Sequence, residues 1–268
     1  MNKQKHMHEM IKVVFMDIDG TLLSEVDRTL SPRTERSIQE LLRRGIQVVL
    51  VTGRPYNLCE EFRRLGIDTI ISANGALIKS GEQVIHKSVL SLDMVRTFSE
   101  FAQENGHGVS YFTETFEMNG DFETDVRITD ALRDTLGIME YPGRINSLES
   151  EIYCLCLYAD QAEAEIYHRQ FPSLNFVRFH EYVSNVLEEN VVSKSAAAEK
   201  VLTYLNISRE EAMAFGDGEN DIDLLEYVGL GIAMGNGGER IKLSADYVTR
   251  KASEDGITHA LKAFKLIY

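Results

Sequence analysis

Strand-like and helix-like runs alternate over residues 11–72, and this order constrains the fold more than any other feature of the chain. The run from Ile11 to Met16 is short, β-branched and aromatic, as in a buried strand. Ser31 followed by Pro32 is typical of a helix start, and Gly45 of its end. Strands are predicted at 11–16, 46–51 and 69–72, and helices at about 32–44 and 55–65. Such alternation predicts a parallel sheet covered by helices.

The C-terminal part of the chain returns to the same pattern after a different middle segment. Helices are predicted there at 193–205 and 221–228, and strands at 212–215, 231–234 and 247–249. In the middle segment, strands are predicted at 84–89, 108–112, 152–158, 175–179 and 182–187, and helices at 92–104, 121–136 and 161–170. We therefore predict that residues 1–82 and 188–268 form one domain and that 83–187 form an inserted α/β domain.

Charge and composition exclude several classes of protein. The formal net charge of −14 repels nucleic-acid phosphates, so we expect no nucleic-acid partner. A phosphate site would therefore need local positive charge. Apolar runs are all shorter than a membrane span requires, and residues 1–10 lack the apolar stretch of a signal peptide. The chain has three cysteines, an odd number that does not fit a framework of disulfide pairs. We therefore expect a cytoplasmic protein without a membrane partner. Cys154 and Cys156 are expected to lie on one face of a strand.

The first candidate site follows the first predicted strand. Asp17 and Asp19 are two carboxylates in a place where burial is costly unless something binds them. A hard cation such as Mg²⁺ prefers oxygen ligands of this kind. Asp17 is a natural nucleophile toward phosphorus, and Asp19 can protonate a leaving oxygen and later activate water. Gly20 permits a tight turn, and we expect the Thr21 hydroxyl to orient Asp19.

Two basic or hydroxyl-bearing segments supply possible phosphate contacts. Thr52 and Gly53 follow the second strand and offer a hydroxyl and a bare backbone amide. Arg54 can add charge for a substrate or hold a neighbouring carboxylate. Lys194, near a helix start, is a point charge for a phosphoryl group or for Asp17. Taken singly, Thr52 is as typical of a helix cap as of a phosphate site, and a lone lysine is usually a solvated surface residue.

An acidic loop follows the strand predicted at 212–215. Asp217 can complete a metal site with Asp17 and the backbone carbonyl of Asp19. Asn220 can hydrogen-bond phosphate, and Asp221 can hold Lys194 or a metal-bound water. Ligands of open α/β sheets bind beyond the carboxyl ends of strands, so these segments are candidates for one shared site.

Four motifs in this order resemble the haloacid dehalogenase (HAD) superfamily, and within it the Cof-type phosphatases with a C2B cap. They are D-x-D-G-T at 17–21, T-G-R at 52–54, the lysine at 194, and G-D-x-x-N-D at 216–221. The resemblance extends to the segments 72–76, 233–236, 245–246 and 254–257. Two positions depart from the usual pattern, since Ser195 and Gly237 stand where glycine and alanine are common.

The resemblance implies a Rossmann-like parallel-sheet core with an inserted cap, Mg²⁺, and hydrolysis of a phosphate monoester. It also implies that Asn74 contacts the substrate. The expected partner is a small phosphorylated metabolite: a sugar phosphate, a nucleotide or a phosphorylated vitamin. His107, Tyr111, Phe112 and Tyr182 are candidates for the cap side of the cleft, although each fits a core or surface role better. The alternatives are a phosphomutase or phosphotransferase, and a non-catalytic protein that binds a phosphorylated ligand.

Overall fold

The computed structural model describes residues 10–113, 116–120, 122–145, 148, 150–188 and 192–268. The start predicted at Asp121 for one helix lies outside these ranges. The chain divides into two compact units, and each is described by itself. The first unit contains residues 10–52, 60–86 and 193–268, and the second contains 53–59 and 87–192.

The first unit is built on an eight-stranded sheet. Its spatial order is β13-β12-β11-β1-β2-β3-β4-β5, and pairing is parallel from β13 to β3, while β4 is antiparallel to β3. The strands are β1 (Val13–Met16), β2 (Gln47–Val51), β3 (Thr69–Ser72), β4 (Leu77–Ser80), β5 (Gln83–Lys87), β11 (Ala212–Gly216), β12 (Leu230–Ala233) and β13 (Tyr247–Val248). The predicted parallel α/β core is confirmed.

Helices connect these strands. They are α1 (Pro32–Arg43), α5 (Lys194–Leu205), α6 (Ile222–Tyr227), α7 (Glu239–Ser244) and α8 (Gly256–Ala263). The predicted start of α1 is confirmed, because the Ser31 hydroxyl accepts a hydrogen bond from the Thr34 N–H and Pro32 occupies the first turn. The helix predicted at 55–65 is a 3₁₀ helix over Tyr56–Leu65. Further 3₁₀ turns lie at Ala73–Gly75, Arg209–Glu211, Glu219–Asp221 and Ala252–Glu254.

The register of the central strands sets the position of the polar loops. Met16, the last residue of β1, lies opposite Phe215 of β11 and Leu50 of β2. These strands are buried on both faces. In each chain segment a polar residue follows within two positions of Met16, Leu50 or Phe215. The loops that begin at Asp17, Thr52 and Asp217 therefore lie together at the carboxyl ends of the central strands.

The second unit has an antiparallel sheet of its own, with the order β7-β6-β8-β10-β9. Its strands are β6 (Gly108–Phe112), β7 (Phe116–Met118), β8 (Cys154–Tyr158), β9 (Leu174–His180) and β10 (Val183–Glu188). Its helices are α2 (Leu92–Glu104), α3 (Val126–Leu136) and α4 (Gln161–Gln170). Residues of α2 and α4, such as Phe98 and Tyr167, share an apolar core with alternate residues of β6 and β8.

Several details of the second unit and its borders differ from the sequence analysis. The strand predicted at 84–89 belongs to the middle segment in our prediction, whereas β5 continues the sheet of the first unit. The predicted domain limits are otherwise untested. Cys154 and Cys156 lie two residues apart in β8 and so share one face of a strand, as predicted; both are buried. Tyr111, Phe112 and Tyr182 are buried, and His107 bonds through Nδ1 to the Tyr167 hydroxyl at 2.8 Å. A membrane-crossing helix, long and apolar throughout, is absent from the described ranges.

Candidate active site

The adjacent strands β1 and β11 bring the acidic loops that follow them together. The backbone N–H of Asp17 donates to the carbonyl of Phe215 at 3.1 Å, which extends the ladder between β1 and β11 by one residue. The carboxylates of Asp17, Asp217 and Asp221 offer oxygen atoms that all lie within 4.8 Å of one another. We call these three residues the carboxylate cluster.

Lys194 supplies the positive charge of this site. Its Nζ donates to Asp17 Oδ1 at 2.6 Å and to Asp221 Oδ1 at 2.5 Å. The lysine lies in the first turn of α5, and its side chain is only 1% exposed. Residues 177 and 27 positions away in the chain thus share one buried ammonium group. Of the two partners predicted for Asp221, Lys194 and a metal-bound water, the structure contains the contact with Lys194.

Asp221 also fixes the loop that carries Asp217. Its Oδ2 accepts hydrogen bonds from the backbone N–H groups of Asp217 at 3.1 Å and of Gly218 at 3.0 Å. A Cβ atom on Gly216 would lie 2.4 Å from the Asp221 Cβ, so a side chain there would displace this carboxylate. Because Asp221 already binds one ammonium and two amides, it supports the site and has little capacity left for a metal.

Two other side chains hold Asp217. The Thr21 hydroxyl donates to Asp217 Oδ1 at 2.7 Å, and Asn236 Nδ2 donates to Asp217 Oδ2 at 3.3 Å and to the carbonyl of Gly20 at 2.7 Å. The prediction that Thr21 orients Asp19 is therefore wrong. The turn after β1 directs the Thr21 hydroxyl to Asp217, in the loop after β11.

Asp19 is more exposed than the carboxylate cluster. Its side chain is 40% exposed, and its Oδ1 accepts a hydrogen bond from Arg28 Nη2 at 3.1 Å. Gly20 has a φ of +80°, and a Cβ there would lie 2.3 Å from Asp217 Oδ2. Only glycine permits this turn, which brings the backbone at residue 20 against the Asp217 carboxylate.

Thr52, Asn74 and Asn220 are joined in a second polar group. The Asn74 N–H donates to the Thr52 carbonyl, and Asn220 Nδ2 donates to Asn74 Oδ1, each at 2.9 Å. Asn74 has a φ of +54° and is 3% exposed. Among the described residues, its Nδ2 is a buried donor without an acceptor. Such a donor is costly, so an acceptor supplied by a ligand would stabilise it.

Gly53 and Arg54 directly follow Thr52 in the chain but belong to the second unit. Arg54 is buried, with 6% of its surface exposed. The phosphate contacts expected of both residues stay predictions.

Burial and mutual repulsion dominate the electrostatics of the cluster. Burial raises the pKa of Asp17 well above its usual value; Lys194 opposes the shift, and Asp221 and Asp217 add to it. Burial and the Asp221 carboxylate raise the pKa of Asp217 to about 7, although Thr21 lowers it. Burial alone would lower the pKa of Lys194, but Asp17 and Asp221 raise it above its ordinary value. Lys194 is therefore charged at neutral pH.

These observations fit a divalent cation. Two carboxylates with raised pKa values crowd one point, and one buried ammonium does not neutralise them. Their hard oxygen donors are of the kind that binds Mg²⁺ or Ca²⁺.

We expect the stability of the metal-free protein to report the titration of Asp217. Its folded pKa of about 7 lies above the unfolded value of about 3.9, so between these limits the folded state binds more protons. Its contribution to the free energy of unfolding therefore falls as pH rises, by at most about 1.4 kcal/mol per pH unit. The substitution Asp217→Asn removes this contribution, because an amide does not titrate.

Urea unfolding in EDTA at several pH values from about 5 to about 7 tests this expectation. Relative to wild type, Asp217→Asn should gain stability progressively as pH rises. Parallel curves for the two proteins across this range would contradict the assigned titration.

Two contacts escaped the sequence analysis. The sequence places Asn236 in a motif without predicting its role, whereas in the structure its Nδ2 donates to Asp217 and its Oδ1 accepts from the Ala252 N–H at 3.0 Å. Its place shortly after β12 is the signal that could have found it, because polar residues beyond strand ends converge. The contact of Arg28 with Asp19 is not predicted by the sequence. An arginine in a polar loop carries no signal of its partner, since only the tertiary fold brings it to Asp19.

Known proteins resemble this chain over nearly its full length. The family model of haloacid dehalogenase-like hydrolases matches residues 14–261. "Putative phosphatase YkrA" of Bacillus subtilis (strain 168) is 34% identical over 269 residues, covering 96% of this chain and 98% of that protein. The 5-amino-6-(5-phospho-D-ribitylamino)uracil phosphatase YitU of the same organism is 29% identical, covering 94% and 97%.

Solved structures agree with these relatives. The HAD subclass IIB sugar phosphatase BT4131 superposes with a TM-score of 0.83 at 28% identity, covering 96% of this chain and 100% of that one. The motifs, the fold and the family match lead to one conclusion: this chain belongs to the haloacid dehalogenase-like hydrolases.

Proposed function

We propose that this chain is a Mg²⁺-dependent phosphatase that hydrolyses the phosphate monoester of a small metabolite through a phosphoryl group carried transiently by Asp17. One observation carries the proposal above the others. A fully buried lysine binds the carboxylates of Asp17 and Asp221 at the carboxyl ends of the central strands. Asp217 completes the carboxylate cluster, with oxygen atoms of the three residues within 4.8 Å of one another. Acidic groups with perturbed pKa values around a buried charged lysine are typical of catalytic sites.

Asp17, Asp217 and the backbone carbonyl of Asp19 are the groups that would hold the metal. When bound, Mg²⁺ supplies positive charge that neutralises phosphate oxygens and the carboxylates beside them. Thr21 and Asn236 fix the orientation of the Asp217 carboxylate through hydrogen bonds to its two oxygens. Asp221 fixes its backbone.

Asp17 is the proposed nucleophile. One of its carboxylate oxygens forms a bond to phosphorus as the bond from phosphorus to the ester oxygen breaks. Lys194 holds Oδ1 of this carboxylate and limits its rotation, so the other oxygen is free to attack. The ammonium group also offsets the negative charge of an approaching phosphate, which the net charge of −14 would otherwise repel.

Asp19 is the proposed general acid and base. It donates a proton to the leaving ester oxygen in the first step and accepts one from water in the second. Water then attacks phosphorus, inorganic phosphate leaves, and the Asp17 carboxylate is restored. The partial exposure of Asp19 suits a group that must exchange protons with substrate and water. Its bond to Arg28 holds the carboxylate in one position between turnovers.

The remaining phosphate oxygens need donors. Lys194, the hydroxyl of Thr52 and the side chain of Asn220 are proposed for this role, as in the sequence analysis, with Gly53 and Arg54 as further candidates. Asn74 joins them through its buried Nδ2, which has no acceptor among the described residues. A phosphate oxygen accepting from this group would remove the cost of leaving it unpaired.

The substrate class is a phosphorylated small metabolite. Relatives support this class, since one is named a phosphatase of a phosphoribitylaminouracil and a structural neighbour is titled a sugar phosphatase. Both names describe phosphate monoesters of polyhydroxylated carbon chains. We therefore place sugar and sugar-alcohol phosphates first among candidate substrates, with nucleotides and phosphorylated vitamins next.

Release of inorganic phosphate from p-nitrophenyl phosphate, with Mg²⁺ and with EDTA, tests the proposal. Turnover with Mg²⁺ that EDTA abolishes is the expected result. A panel of phosphorylated metabolites, ranked by kcat/KM, would then identify the substrate. Absence of turnover on every member of the panel would favour a binding protein. Transfer of the phosphoryl group to a sugar in place of water would identify a phosphotransferase.

A further inference from the structure

A large basic cleft lies in the first unit between α1 and α8. Its volume is about 880 Å³, within the range of roughly 300–1,000 Å³ that small-molecule sites occupy. The residues that line it come from 33–43, 250–262 and 267–268, and none belongs to the carboxylate cluster. The proposed phosphatase chemistry makes no use of it.

Lysine and arginine side chains outnumber acidic ones in the lining of the basic cleft. Arg36 and Arg43 come from α1, Lys262 from α8, and Arg250 from the segment before α8. Across the described part of the chain, none of these four forms an ion pair. In a chain of net charge −14, four uncompensated cations around one cavity are unexpected for a surface that merely keeps the protein soluble.

The acidic residues of the same lining are mostly neutralised. Asp255 accepts hydrogen bonds from Ser31 and from Arg33, the latter at 3.4 Å. Glu40 pairs with Arg44 at 2.9 Å and accepts from the Tyr268 N–H at 3.1 Å. Glu254 is then the one lining carboxylate without an ion pair to a described residue. The cleft therefore presents a net positive surface.

The spacing of the cations indicates the shape of the ligand. Arg36 and Arg43 are seven residues apart, two turns of one helix face, which separates them by about 10 Å along the axis. A single phosphate would have to draw both side chains toward one point, whereas a chain of three linked phosphates spans most of this length and can pair with both guanidinium groups at once. Guanidinium groups bind phosphate oxygens in pairs and suit such a ligand.

We propose that the basic cleft is a second anion site, which binds a linear polyphosphate chain. A nucleoside triphosphate and inorganic polyphosphate share this chemistry. The proposal does not depend on the catalytic role of Asp17, because no residue is common to the two sites.

Isothermal titration of the full chain with tripolyphosphate and with ATP, in EDTA and low salt, tests this proposal. The informative variant is Arg36→Ala/Arg43→Ala. Arg64→Ala/Arg209→Ala is its matched control, since it removes two exposed arginines of the same unit outside the cleft. We expect Kd to rise by about tenfold or more in the first variant and to stay within about twofold of wild type in the control.

The same two variants should hydrolyse p-nitrophenyl phosphate like wild type, which shows that both fold. Tighter binding of ATP than of tripolyphosphate would identify a nucleotide as the ligand, and the reverse would identify inorganic polyphosphate. Wild-type affinity in Arg36→Ala/Arg43→Ala, or no binding to wild type at millimolar ligand, would overturn the proposal.

Discussion

The substitution Asp17→Asn should reduce metal-dependent phosphatase turnover by about 10³-fold or more, the scale expected when a nucleophile is removed. An amide oxygen still accepts the hydrogen bond from Lys194, so the side chain keeps its place while losing the negative charge that attacks phosphorus. Because Asp17 is buried and its pKa is raised, loss of its charge should leave the fold intact. Initial rates with Mg²⁺ and p-nitrophenyl phosphate, together with a thermal melt, measure both effects.

The matched control is Asp68→Asn, which makes the same chemical change at an exposed aspartate of the first unit. It should retain wild-type rates. Trapping with radiolabelled substrate and acid quenching should detect phosphoryl-protein in wild type and none in Asp17→Asn. Retention by Asp17→Asn of more than a tenth of wild-type turnover would exclude Asp17 as the nucleophile.

Much of the first unit was predictable because its strands carry strong local signals. The β1 and β2 strands are continuous apolar runs, as parallel strands buried on both faces must be, and α1 has both a cap and a proline at its start. The strand Leu77–Ser80 was missed because half of it is polar and it continues directly from the turn at Ala73–Gly75. Helices α7 and α8 were missed because they are short or lack a capping side chain.

The membership of the site was easier to predict than its contacts. Strand order brings residues that follow parallel strands to one edge, so Asp17 and Asp217 could be paired from the sequence. Which oxygen each hydroxyl or amide binds depends on the path of the turn. For this reason the sequence predicts the wrong aspartate as the partner of Thr21. Arg28 itself has a left-handed backbone conformation, which no sequence pattern predicts, and this conformation accompanies its contact with Asp19.

Replacement of Lys194 by methionine should affect stability as well as catalysis. The side chain is almost completely buried and is the ammonium group that binds both Asp17 and Asp221. Removing one partner of a buried ion pair typically costs about 3–5 kcal/mol, because the remaining charges are left uncompensated. Turnover should fall by about 10²-fold or more, since Lys194 both orients the nucleophile and offsets phosphate charge. Urea unfolding and initial rates provide the two measurements.

A second change separates these two effects. Without Lys194 the carboxylates of Asp17 and Asp221 lack their positively charged partner. In Lys194→Met/Asp221→Asn one of these two groups is neutral, so the double variant should be more stable than Lys194→Met alone while remaining inactive. Lys200→Met, on the same helix and half-buried, is the control for the loss of a lysine and should keep both stability and rate. Wild-type activity in Lys194→Met would remove the lysine from the mechanism. Equal stability of the single and double variants would show that Lys194 contributes through packing, because charge compensation predicts a difference between them.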